Sequence, residues 1–470
     1  MNRKRTIILL ILIILLASAL RFSSLAKEDY WLDEGFTMFT GEQPTFAKVT
    51  DSVLFYETAP PFYFYILNIW IKLFGSSSTS TRSLSALLGI LSIPIIFLTA
   101  RNISDDKTAL LTSLLSAVSM LLIWTSQEVR PYSLLVFLAV LSSYFLTLVY
   151  KNNNLITCLL YFVSLILLFY TSYFSVFIVF FQFMVVAFTK RYKLLAKVFL
   201  AQFIAFLFLV PWLINAIPRS NLSSSIVYEL LFYHAGLPSF IAKFGQLALV
   251  SPLIFLSLFL IIIFLISTRR IIKLNKLYPF ISLLIIFLLL GYILLLLNIH
   301  QPIVRKLFTY SRYFIFLLPA SHFIVSKTYF SINKKLKITM LIVLILTSLV
   351  AIPTYYAVTL KEEWTPAMKF IQQTRDSSGG IIFVDEGGAN MYLINHYYEG
   401  EMPAVELAWK DKELTATQIL ELTDDKDFAW LILSRNWKRG DYYLNVFNQN
   451  FNLIKQKEFY GIKLYLYEVP

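Results

Sequence analysis

Cysteine is almost missing from this chain. The single one, Cys158, sits in an apolar run, which excludes a disulfide framework and a Cys-based metal site. The four histidines (His234, His300, His322 and His396) show no metal-ligand spacing. No glycine-rich phosphate loop and no internal repeat is present, so the usual nucleotide cradles are excluded too. Charge is scarce, at only 15% of 470 residues. What fills the space is apolar: 58% hydrophobic residues, 42 Phe and 28 Tyr, with a mean hydropathy of +0.68. A soluble domain cannot hide that much apolar surface, whereas runs of about 20 such residues match bilayer hydrocarbon, with rings settling at its interfaces.

The net charge of +13 is unevenly spread. Residues 1–356 hold 29 Lys+Arg against 11 Asp+Glu, while residues 357–470 hold 12 against 17. The basic residues form short clusters between apolar runs. That is the positive-inside pattern of a multi-pass membrane protein and gives no footprint for nucleic acid.

The expected architecture is therefore an α-helical polytopic membrane protein with a small α/β domain at its C-terminus. Apolar runs at Thr6–Phe22, 83–100, 108–125, 132–150, 155–170, 174–189, 198–216, 245–267, 278–298, 313–327 and 338–356 predict eleven spans. The first run also resembles a signal peptide with a cleavage site at Ala17-Ser18-Ala19; its length and the spans that follow favour an uncleaved anchor. Arg3, Lys4 and Arg5 keep the N-terminus cytoplasmic, and the later basic loops fall on the same side. Phe62–Phe74 is too short to cross comfortably and contains Lys72, so it reads as a helix lying in the outer interface. The domains are then 1–356, a transmembrane domain with its first outer loop at 23–82, and 357–470, an extracytoplasmic domain. In the latter, Trp364–Arg375 and Asn390–Tyr398 read as helices. Gly380–Val384, Phe428–Leu433 and two strands within Phe451–Glu468 read as sheet.

Seven of the eleven acids before residue 357 lie between Glu28 and Glu57. Asp33 and Glu34 stand within Tyr30-Trp31-Leu32-Asp33-Glu34-Gly35-Phe36, where a partly desolvated carboxylate suits a general base; an ordinary wet loop is the plainer alternative. Glu28, Asp29, Glu42 and Asp51 read as solvated. Glu57 precedes Pro60-Pro61, which end one element and start another, so it is either a positioned acid or a turn residue. In Ser126-Gln127-Glu128-Val129-Arg130-Pro131-Tyr132, Arg130 is set to hold a phosphate bidentately while Glu128 or Gln127 orients a sugar or metal; the plainer alternative is an acid and an arginine that simply pair with each other. Arg312-Tyr313 falls on the same face, close to Arg305 and Lys306. Carboxylates beside cationic phosphate binders at a membrane surface suit transfer from a lipid-phosphate donor.

These residues resemble a known family. Asp33-Glu34, then Glu57-Thr58-Ala59-Pro60-Pro61-Phe62-Tyr63, Leu73-Phe74-Gly75 and Arg82 are similar to the motifs of GT-C glycosyltransferases. The Gln127-Glu128-Val129-Arg130-Pro131-Tyr132 turn and Arg312-Tyr313 resemble the branch of protein O-mannosyltransferases and lipid A aminoarabinose transferase. The resemblance covers about residues 1–320. It implies an inverting glycosyltransferase using a polyprenyl- or dolichyl-phosphate sugar at the outer face, with a protein, lipid or glycan acceptor. Asp33 would be the base with Glu34 beside it. Glu57, Tyr63, Gln127, Glu128, Tyr132 and Tyr173 would line the sugar or donor site, and Arg130, Arg312 and Tyr313 would meet the donor phosphate. Where many relatives carry Thr-His-Tyr, this chain has Thr171-Ser172-Tyr173. No cofactor is therefore assigned; a divalent cation, if bound, would take Glu57 and Glu128. A lipid-diphosphate ligase, polymerase or oligosaccharyltransferase is the nearer alternative, and a secondary transporter the more distant one.

Overall fold

The computed structural model describes residues 2–152, 154–219, 312–385, 387–409, 412–434 and 440–470. The expected spans 245–267 and 278–298, with His234, His300, Arg305 and Lys306, lie outside them. Two compact units emerge. Unit 1 comprises Met1–Ser23, Thr45–Trp70 and Arg82–Tyr355; unit 2 comprises Ser24–Pro44, Ile71–Thr81 and Tyr356–Pro470.

The described helices up to residue 219 are α1 (Arg3–Phe22), α2 (Leu32–Gly41), α3 (Phe46–Tyr56), α4 (Phe62–Phe74), α5 (Ser78–Ile103) and α6 (Asp106–Ala117). They continue as α7 (Met120–Ser126), α8 (Tyr132–Asn152), α9 (Leu155–Phe169), α10 (Ser175–Phe188) and α11 (Tyr192–Arg219). A 3₁₀ helix at Arg312–Leu317 then leads into α12 (Leu318–Ser331) and α13 (Lys334–Ala357). Among the described residues, α1, α5, α8, α11 and α13 are long and apolar enough to cross a bilayer. The expected span 108–125 is bent: α6 and α7 meet at 58°, the geometry of a broken span or a re-entrant loop.

That break is chemically satisfied. A helix ending inside an apolar bundle exposes carbonyls that cost several kcal/mol if left bare. Arg21, only 1% exposed, donates through Nη2 to Ser116 O at 3.2 Å and through Nη1 to Ala117 O at 3.0 Å. Gly89 lets α5 pack beside it, because a Cβ there would stand 2.2 Å from Ser126 Oγ and 3.0 Å from Arg21 Nε. A second polar group fastens α8 to α11. Tyr161 Oη donates to Gln182 Oε1 (3.0 Å) and accepts from Gln202 Nε2 (2.9 Å), while Gln182 Nε2 donates to Ser142 Oγ (2.8 Å).

In unit 2, α14 (Trp364–Thr374) precedes β1 (Gly380–Val384), α15 (Ala389–Tyr397), β2 (Ala404–Glu406), β3 (Ala408–Trp409) and β4 (Lys412–Glu413). Then follow α16 (Ala416–Thr423), β5 (Phe428–Ser434), α17 (Gly440–Asn450), β6 (Asn452–Phe459) and β7 (Ile462–Glu468). The main sheet runs β2-β1-β5-β7-β6. β1 is parallel to β2 and β5, and β7 is antiparallel to β5 and β6. β1 and β5 are buried at every position, which is why their sequences read as continuous apolar runs. Phe383, Leu431, Tyr443, Phe447 and Tyr467 form the core between sheet and helices.

Candidate active site

Unit 1 gathers one acid and one base from distant parts of the chain. Glu57 caps the C-terminus of α3, its N–H bonded to Val53 O at 3.1 Å. Pro60 and Pro61 prevent α3 from continuing, and Phe62 N–H donates instead to Tyr170 O at 3.0 Å. Glu57 is 7% exposed, and Arg130, in the turn between α7 and α8, donates Nη1 to its Oε2 at 3.1 Å and its Oε1 at 3.3 Å. Glu128 in the same turn is 1% exposed. A guanidinium in so dry a place keeps its charge and is more weakly hydrated than an ammonium, which suits it to oxyanions.

The other residues predicted in unit 1 have definite places. Tyr63 is fully buried and its Oη meets Ser85 Oγ at 3.3 Å. Tyr132 is buried at the start of α8. Tyr173 Oη accepts from Trp212 Nε1 at 2.9 Å. Gln127 acts as a fastener: Nε2 donates to Leu20 O (3.2 Å), Arg21 O (3.1 Å) and Ser23 O (2.6 Å), and Oε1 accepts from Tyr355 Oη (2.7 Å). It thereby covers the carbonyls at the C-terminus of α1. Arg312 and Tyr313 open the 3₁₀ helix.

Unit 2 holds the two adjacent acids of the first loop. Asp33 and Glu34 lie in the first turn of α2, where carboxylates favour a helix dipole. Their environments differ sharply. Asp33 is partly exposed. Glu34 has no exposure, and Lys361 Nζ donates to its Oε2 at 2.8 Å. The reading of Glu28 and Asp29 as solvated is corrected here. Glu28 Oε1 accepts from Leu360 N–H at 2.6 Å, and Asp29 accepts from Thr365 N–H at 2.6 Å and Thr365 Oγ1 at 2.7 Å. Both acids lock the loop onto residues of the same unit.

Sequence reasoning missed Lys361, Arg21, Trp212 and Tyr355. Only Arg21 carried a signal, as a lone arginine inside the first apolar run; such residues usually snorkel to the interface, and this one is buried. Among the described residues no group of three or more His, Cys, Asp or Glu is placed to hold a metal ion.

The sequence model of the dolichyl-phosphate-mannose-protein mannosyltransferase family matches residues 58–215. No curated protein sequence matches the chain. Among solved structures, apo ArnT from Cupriavidus metallidurans is similar, with a TM-score of 0.60 at 12% identity, covering 97% of each chain. The same protein bound to undecaprenyl phosphate gives 0.56 at 13% identity, again covering 97% of each. The apo oligosaccharyltransferase of Archaeoglobus fulgidus gives 0.56 at 13% identity, covering 99% of this chain and 74% of that one. Residues 58–215 thus match that family's sequence model, and the chain shares the fold of ArnT and of the archaeal oligosaccharyltransferase.

Proposed function

We propose that the chain transfers a sugar, with inversion, from a polyprenyl-phosphate donor to an acceptor hydroxyl. Asp33 takes the proton of that hydroxyl. The freed oxygen attacks the anomeric carbon from the side opposite the phosphate, and the bond from that carbon to the phosphate oxygen breaks. The lipid phosphate leaves as an anion and needs no protonation, only cations to meet its charge. Arg130 and Arg312 are assigned that task, and Glu57, Glu128, Tyr63, Tyr132 and Tyr173 the sugar pocket. The N-terminus is assigned to the cytoplasm and unit 2 to the outer face, on the charge pattern. One structure of similar fold holds undecaprenyl phosphate, which supports the donor class.

The observation that carries the reading is the contrast within Asp33-Glu34. Glu34 is fully buried on Lys361 at 2.8 Å, whereas Asp33 keeps part of its surface exposed. A divalent ion at Glu57 and Glu128 would have to displace the Arg130 guanidinium, which meets both carboxylate oxygens of Glu57.

The test uses the purified full chain with a panel of polyprenyl-phosphate sugars and one diphosphate-linked oligosaccharide. Transfer from a monophosphate donor, lowered about 10²- to 10⁴-fold in Asp33→Asn, is expected. Wild-type rates in that variant would remove Asp33 from the mechanism, and turnover of the diphosphate donor alone would move the protein to the oligosaccharyltransferase class. Cysteine labelling near residues 40 and 400 checks the orientation; modification from the cytoplasmic side overturns it.

A further inference from the structure

Helix α2 is built into unit 2 from three sides. Beneath its first turn, Glu34 is fully buried against Lys361 at 2.8 Å, in the segment leading to α14. One residue on, α2 touches α15 so closely that a Cβ on Gly35 would lie 3.1 Å from Leu393 Cγ and 3.2 Å from Ala389 O. Just before the helix, Tyr30 N–H donates to Tyr397 Oη at 2.8 Å, while Glu28 and Asp29 hold the N–H groups of Leu360 and Thr365. Lys27 adds a contact to Tyr356 O. All these partners belong to residues 356–470.

A carboxylate in a site that dry is stable as an anion only with a cation on it. Lys361 is 6% exposed in its side chain and supplies that cation. The pair therefore sets the depth and rotation of the first turn of α2, the turn that also carries Asp33.

We propose that Lys361 is a positioning residue for sugar transfer, and that the C-terminal domain is the module that holds the acceptor-activating base in place. This rests on Asp33 being the base. Lys361 touches no reacting atom; it acts through Glu34 on the placement of its neighbour. Proton abstraction depends on that placement, and a misplacement near 1 Å costs on the order of 100-fold.

Full-length Lys361→Met and Lys361→Arg are compared with wild type in lipid nanodiscs, reading kcat, the KM for the polyprenyl-phosphate sugar, and the melting midpoint. Lys361→Met lowers kcat about 10- to 100-fold with donor KM within about twofold. Lys361→Arg restores kcat to within about threefold of wild type, as expected where a buried cation and hydrogen bond are what matter. Should Lys361→Met fail to fold, Glu34→Gln/Lys361→Met removes both buried charges and keeps the test open. That double variant is expected to melt near wild type while kcat stays at least about tenfold low. Wild-type kcat in a folded Lys361→Met or in the double variant overturns the proposal. A parallel fall in donor affinity in either one does the same. Asp33→Asn separates the two readings: if it is inactive while Lys361→Met is active, only the positioning role falls; if it is active, the assignment of the base falls first.

Discussion

Arg130 reaches back 73 residues to place one guanidinium nitrogen within 3.1 and 3.3 Å of the two carboxylate oxygens of Glu57. Neither side chain is more than 8% exposed. Breaking such a pair from one side is expensive because the remaining ion stays buried. Glu57→Ala is expected to lower stability by about 3–5 kcal/mol, and Glu57→Gln by less, since the amide oxygen still accepts. Melting of the detergent-solubilised variants checks the order; a Glu57→Ala midpoint equal to wild type would contradict it.

Gln127 supports the bundle in this structure. Gln127→Leu deprives the carbonyls of Leu20, Arg21 and Ser23 of its amide and removes the acceptor of Tyr355 Oη. A loss of about 1–3 kcal/mol is expected. Donor KM in the folded fraction should stay at the wild-type value. A large KM rise without destabilisation would support the expected place of Gln127 in the donor site.

Tyr398 gives unit 2 an alkaline limit. Its phenol donates to Asp376 Oδ1 at 2.5 Å and accepts from Met402 N–H at 3.1 Å. Burial first, and then the Asp376 bond and charge, push its pKa above the usual 10. The folded value exceeds the unfolded one, so the contribution is complete below about pH 10 and disappears as pH rises through the folded value. Near-ultraviolet circular dichroism across that range should show the loss in wild type and a weaker one in Tyr398→Phe. Equal slopes would refute this source.

The parts legible in the sequence were those governed by local rules. Phe62–Phe74 and Gly380–Val384 form a helix and a strand with the expected limits, since period and Pro or Gly punctuation act within a few residues. Pairings were less legible. Glu128 stands two residues from Arg130, yet the geometry turns Arg130 toward Glu57, a choice made by where α3 ends. Glu28 and Asp29 looked solvated because nothing near them in sequence needs a carboxylate; their partners, Leu360 and Thr365, are more than 330 residues away. The bend after Ala117 was hidden for a similar reason, as the arginine that donates to the carbonyls of the helix end belongs to α1.

The bond between Glu34 and Lys361 spans 327 residues, and this fixes an order of maturation. Helix α2 leaves the ribosome early, while Lys361, on which it beds, follows 327 residues after Glu34. Until then the acid pair has no seat, whatever the membrane helices have achieved. A nascent chain, or one cut short near residue 356, thus holds Asp33 on an undocked helix. Docking of α2 therefore waits on residues 360–397, however early the helix itself has formed.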